Sequence, residues 1–235
     1  MNLRPKRKIF AKKRVESKSV TSFIQNKKEK WYSFGDVKKF HEVYELKFQG
    51  KPLNFLIKQK NKKPNIMVLG AGEGKDLKLL KRFCKKHKKE PVIDVLSLTK
   101  ALPKTVKKIV NKDYSNNKAL ETIDLERDKK LISEIKNKYD LVMAPLSVGV
   151  YTNHQTYNMF LSAMMLKNEG RTYIQVRFTK DLEKRFDRFV KAYNKQNKTN
   201  YKFNLNLINS KKYTQNKVLD KFYSRYMFYE IKRIN

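Results

Sequence analysis

The chain has 235 residues, enough for one large α/β domain with a modest appendage, and its 40% hydrophobic and 12% aromatic content can bury a core, so a wholly disordered chain is excluded. Its 56 Lys and Arg against 22 Asp and Glu give a net charge of +34, a field that captures polyanions, nucleic acid ahead of acidic membrane surfaces or acidic proteins. The single cysteine, Cys84, excludes an intrachain disulfide and a cysteine-based zinc site, and no run approaches the roughly 18 apolar residues of a membrane span.

Residues 1–30 are rich in Lys and Arg against Glu16 and Glu29 and form a first region, a basic N-terminal arm. Its start has no apolar stretch of the kind that marks a secretory signal, so an intracellular setting is expected, with cytoplasm, nucleus and organelle all left open. A second region, 31–63, reads as a helix over 31–46 through Val37, Phe40, Val43 and Tyr44, followed by a hairpin turning at Gln49-Gly50-Lys51-Pro52.

From 64 to 235 the pattern alternates. A short apolar strand over 65–69 leads to a helix over 76–89 with Leu77, Leu80 and Cys84 on one face. Strands follow over 91–96 and 106–110, then a helix over 128–138, a strand over 141–144, a helix over 154–166 and a strand over 172–176. This alternation predicts a parallel sheet with right-handed crossovers. A helix from Asp181 carries Leu182, Phe186, Phe189, Val190 and Tyr193 on one stripe. Two strands, 201–208 and 225–231, then follow with no helix between them and should pair antiparallel at the sheet edge.

Between the first strand and its helix stands Val68-Leu69-Gly70-Ala71-Gly72-Glu73-Gly74. Glycines there let a backbone approach a ligand and aim helix N–H groups at it. A dinucleotide fingerprint needs glycine where Lys75 stands, and a P-loop needs a hydroxyl residue where Asp76 stands. The remaining pattern, G-x-G-x-G after an apolar strand, resembles motif I of the class I S-adenosylmethionine (SAM) methyltransferases. The resemblance runs from Pro64 to Arg177, about half the chain. It implies a Rossmann-like, seven-stranded sheet with a terminal antiparallel hairpin and SAM as cofactor. It places Gly70, Ala71, Gly72 and Gly74 against the amino-acid part of SAM, Asp94 on the ribose and Asp113 near the adenine amino group. A register ending the second strand at Leu96-Ser97 would leave no acid for the ribose. Tyr139 to Pro145 resembles motif IV, which puts Pro145 in the cofactor pocket, and Leu166 to Thr172, with Gly170, resembles the turn into the fifth strand.

No catalytic residue can be nominated. Ala144-Pro145-Leu146-Ser147 lacks the polar residue of amino-methylating members, the Lys-Asp-Lys-Glu set of ribose-methylating members is not reproduced, and Cys84 lies on the first helix. His41, His87 and His154 are too scattered for a metal. Tyr151, His154 and Tyr157 follow motif IV and could line a pocket or simply open a helix. Two functions therefore stay open: a SAM-dependent methyltransferase acting on nucleic acid, RNA ahead of DNA, or a catalytically inactive methyltransferase fold serving as an RNA-binding or accessory protein of a larger complex. A phosphate-tracking surface is expected from Lys78, Lys81, Arg82, Lys85 and Lys86, from the acid-free stretch 188–217 with Lys211 and Lys212, and from the arm. Tyr193, Tyr201 and Phe203 are candidates either for base stacking or for the core.

Overall fold

The computed structural model describes residues 44, 47–71, 74–97, 104–114, 123–144, 154–208 and 226–235; for 75, 76, 105 and 106 this covers the backbone. The expected basic arm, most of the helix over 31–46, Gly72, Pro145, Tyr151, Lys211 and Lys212 lie outside the described residues.

Short runs of Ile, Val, Leu and Met bounded by Pro64, Gly70 and Pro91 are too short for helices and apolar on both faces, which suits the centre of a parallel sheet. β1 (Asn65–Leu69) pairs in parallel with β2 (Val92–Leu96), Asn65 opposite Val92 and Leu69 opposite Leu96. β3 (Lys112–Asp113) extends the sheet beyond β2. On the other side β4 (Tyr139–Ala144) pairs with β1, and β5 (Leu166–Arg177) with β4, both in parallel. β6 (Phe203–Ile208) and β7 (Tyr226–Arg233) are antiparallel to each other, and β7 is antiparallel to β5. The resulting order is β3-β2-β1-β4-β5-β7-β6, the expected parallel sheet with a reversed terminal pair.

Helices cover both faces. On one, α1 (Lys51–Lys58) and α2 (Lys75–Lys86) bury Leu53, Leu56, Leu77, Leu80 and Cys84 against Ile66, Val68, Met143 and Tyr173. The single-turn α3 (Lys104–Lys107) lies between β2 and β3 in the chain. On the other face, α4 (Lys129–Ile135), α5 (Gln155–Met164) and α6 (Leu182–Asn197) bury Ile132, Ile135, Phe160, Phe186 and Val190 against Met67, Val142 and Ile174. Each fully buried Leu or Phe in these layers contributes about 1.5–3 kcal/mol. Rings from α5, α6 and β6 form one cluster: Phe160 lies 4.6 Å from Tyr193, and Tyr201 stacks on Phe203 at 5.9 Å. That contact settles the two readings of Tyr193, Tyr201 and Phe203 in favour of packing.

Three local expectations are corrected. The hairpin at 49–52 is instead the start of a helix: Gly50 takes a left-handed φ of 65°, Pro52 sits in the first turn where no donor is needed, and Leu53 and Leu56 share the buried face. The third strand is not 106–110 but the two residues Lys112 and Asp113; Ile109 and Val110 pack half-buried against the core on the way into it. The turn at 166–172 belongs to β5 itself, with a register shift opposite Tyr139 and Leu141 and a positive φ of 64° at Glu169. Gly170 is required there, because a Cβ would lie 2.9 Å from the carbonyl oxygens of both Lys167 and Tyr139.

Candidate functional site

All five parallel strands end on the same side, and the glycine loop leaves β1 there. Gly70 and Gly74 both take left-handed backbone conformations, with φ of 76° and 68°, which L side chains rarely adopt. The Gly70 N–H donates to the Leu96 carbonyl at 2.9 Å, tying the loop to the end of β2, and the Gly74 N–H donates to the Ala71 carbonyl at 2.8 Å. Ala71 is buried. Gly74 then caps α2 without any side-chain hydrogen bond, so the first N–H groups of that helix face the carboxyl edge of the sheet uncapped by a side chain. This cradle suits a carboxylate or a polar ligand lying flat on backbone.

The acids fall differently. Asp113 closes β3, level with Val95 and half-buried. Asp94 is two residues inside β2, because the strand ends at Leu96 and Ser97. That is the register in which no acid stands at the strand terminus. Its fully buried carboxylate accepts hydrogen bonds from Asn111 Nδ2 (2.9 Å), Lys138 Nζ (2.7 Å) and the Tyr139 hydroxyl (2.8 Å). These partners reach it from the starts of β3 and β4, so the group faces away from the glycine loop. Burial opposes the charge on Lys138, yet its bonds to Asp94 and Tyr114 outweigh this and hold its pKa above the ordinary lysine value. Burial likewise drives the Tyr139 hydroxyl well above its usual range, reinforced by Asp94.

Gln175 was not singled out in the sequence. It lies on β5 one step beyond the last β4 pair, Ala144 opposite Ile174, which puts it at the level where the glycine loop leaves β1. It is fully buried, and among the described residues neither its amide nitrogen nor its oxygen has a hydrogen-bond partner. An orphaned amide costs about 1–3 kcal/mol, a cost that binding sites commonly carry. No period or spacing in the sequence marks it.

The remaining candidates divide. Lys78, Lys81, Arg82, Lys85 and Lys86 are all exposed along the outer face of α2. His154 stands at the N-cap position of α5 without a side-chain capping bond. The Tyr157 hydroxyl donates to the Ile123 carbonyl and accepts from the Leu125 N–H, both at 3.1 Å, and burial raises its pKa, so it is a structural residue. Burial pushes the Cys84 thiol up to about 11, which removes it as a nucleophile. Among the described residues no cluster of His, Cys, Asp or Glu could hold a metal, and no helix is long and apolar enough to cross a membrane.

The sequence matches no protein-family profile and no curated protein. Solved structures do match. The plantazolicin methyltransferase BamL, in complex with a triazolic desmethylPZN analog and SAH, aligns over 95% of this chain and 96% of its own at 10% identity, with a TM-score of 0.53. This chain has the class I SAM-dependent methyltransferase fold. The plantazolicin methyltransferase BpumL with SAH aligns over 86% and 92% of the two chains at 11% identity and a TM-score of 0.46. A Listeria monocytogenes protein named as a putative class I S-adenosylmethionine-dependent methyltransferase aligns over 80% and 59% at 14% identity and a TM-score of 0.48. Within this fold, the glycine loop and Asp113 lie along the edge where β1 to β3 end, and Gln175 and Arg177 lie along the same edge at β5.

Proposed function

We propose that this chain binds SAM along the carboxyl edge of β1 to β3 and transfers its methyl group to nucleic acid, RNA before DNA. The observation that carries the reading is the cradle itself: two left-handed glycines, Gly70 and Gly74, followed by a helix start with no side-chain cap. Gly70, Ala71, Gly72 and Gly74 would hold the amino-acid end, Asp113 the adenine side, and Pro145 would flank the pocket. Bound SAM supplies an activated methyl group on sulfur, so the protein's task is alignment of an acceptor with that group. The acceptor class follows from charge: +34 overall, with five exposed cations along α2 that make no ion pair among the described residues.

One observation favours the second reading, an inactive fold retained for RNA binding. Asp94 is spent inside the protein and the end of β2 carries Leu96 and Ser97, so the ribose hydroxyls find no carboxylate there. Calorimetry with SAM and SAH separates the two. Binding by wild type that is lost in Gly72→Arg supports the cofactor site; a wild type that binds neither leaves the RNA-binding fold. Transfer of labelled methyl from SAM to total RNA, DNA and protein then tests the acceptor, and label confined to protein would sink the nucleic-acid reading.

A further inference from the structure

Beyond the glycine cradle, a cavity of about 280 Å³ opens where β5 ends. Its wall comes from three elements: Gln155 and Thr156 in the first turn of α5, Arg177, Phe178 and Thr179 at the strand end, and Leu182 and Arg185 at the start of α6. The Thr179 hydroxyl donates to Gln155 Oε1 at 3.2 Å and so fastens the strand end to the helix start. We propose that this cavity is a phosphate subsite for the acceptor strand, with Phe178 as the platform on which an adjacent base stacks; this rests on the nucleic-acid reading above.

Three features converge on that ligand. Arg177 and Arg185 both line the cavity, and neither makes an ion pair among the described residues, whereas Arg171 is held by Glu230 at 2.5 Å. Two unpaired guanidinium forks beside threonine hydroxyls match the oxygens of a phosphodiester. The ten-residue α5 points its N-terminus at the cavity and has no side-chain cap, which adds donors and a favourable dipole for an anion. Phe178 is 69% exposed, the most exposed of the large apolar side chains described, and it lines the cavity together with the two arginines. An aromatic face left in water beside cations is what single-stranded nucleic acids use, since every base offers a stacking surface. Arg177, at the end of β5, shares the carboxyl edge with Gln175 and the glycine loop, so a strand anchored here would pass the edge where the methyl group is proposed to lie.

The test uses the full chain and a fluorescent RNA single strand of about 12 nucleotides, with a matched strand carrying one internal abasic position. Arg177→Gln with Arg185→Gln should weaken binding about tenfold or more and lower the salt dependence by about one or two phosphate contacts. Phe178→Ala should weaken binding to the intact strand by about tenfold and abolish the preference for it over the abasic strand. Melting temperatures within a degree or so of wild type, with Arg185→Gln alone as an exposed single change, show that folding is intact. Unchanged affinity and salt slope in the double variant, while wild type binds RNA, would overturn the subsite and leave the nucleic-acid reading standing. Wild type that fails to bind RNA at low salt overturns both. Equal loss of an acidic peptide of matched charge, with no abasic discrimination, would assign the cavity to a protein partner and also overturn it.

Discussion

The two edges of the sheet are built on opposite principles. At the edge where the parallel strands begin, buried polar groups have named partners. Asp94 is held by Asn111, Lys138 and Tyr139; the Asn65 N–H donates to Asp140 at 2.7 Å; and Arg233, from the end of the reversed strand β7, bonds Asn137 and the Leu166 carbonyl. At the edge where they end, groups stand open among the described residues: helix starts at Gly74 and His154 without side-chain caps, an orphaned Gln175, Arg177 and Arg185 without an ion pair, and an exposed Phe178. A buried polar group is costly unless it is bonded, so an edge whose polar groups are mostly bonded, with Arg171 Nε an exception, serves stability, and one left largely unsatisfied keeps its bonding capacity for a ligand. Mutations at the two edges should therefore differ in sign.

The largest effect belongs to Asp94→Ala. Removing the acid leaves the Tyr139 hydroxyl buried and the Lys138 ammonium without its counter-charge, and should cost about 3–5 kcal/mol in urea unfolding. SAH affinity of the folded fraction should be unchanged. A variant of normal stability with lost SAH affinity would reverse the comparison and return Asp94 to the cofactor.

Next comes Gly170→Ala, on the bulged start of β5 at the same closed edge. Its Cβ would press on two backbone oxygens at 2.9 Å, neither of which can rotate away, and about 1–3 kcal/mol of overpacking is expected. A loss below half a kcal/mol would mean that the bulge shifts freely and that this edge is less fixed than its bonds suggest.

At the open edge the sign should change. Gln175→Leu replaces an unbonded amide with an apolar group of similar size, and the gain should be about 1–2 kcal/mol, or roughly 2–8 °C in Tm. The same variant should bind SAH or the acceptor RNA more weakly, the usual exchange at a site kept for function. Destabilisation instead would show that the amide has a structural role and that the open edge is not open there.

Much of this plan was legible in the sequence, and what was missed follows from the range of the forces involved. Strands β1, β2, β4 and β5, the stripe of α6 and the reversed terminal pair announce themselves through apolar pattern. The glycines at 70 and 74 were legible because positive φ needs a particular residue type. The strand β3 was misplaced because two residues carry no periodicity, and α1 because Gly-x-Pro opens a short helix as readily as a hairpin. Asp94 reads as the end of its strand but stands in the middle of it, since a shift of two residues changes no local pattern; only its pairing with Met67 and its three donors place it. The cavity at β5 joins residues 155, 177 and 185, which nothing in the local sequence connects.

The smallest expected effect concerns the closed edge again, through Cys84 near the end of α2. Its thiol is raised from 9.0 to about 11, mainly by burial, with Lys89 opposing. In the unfolded chain the thiol ionises near its ordinary value, while in the fold it stays neutral until about 11. Between these values the unfolded state binds fewer protons than the native one, so stability is full below about pH 9 and falls as pH rises toward 11. Two measurements check this. A neutral alkylating reagent should leave Cys84 untouched at pH 8 until urea unfolds the chain, and the decline in urea midpoint above pH 9 should be shallower in Cys84→Ala. Because this is the chain's one cysteine, any alkylation under native conditions reports directly that the packing around the end of α2 opens. Native reactivity there would place the more mobile part of the molecule on the side that the bonds of Asp94 and Asp140 close, and the contrast between the edges would fail at its firmest point.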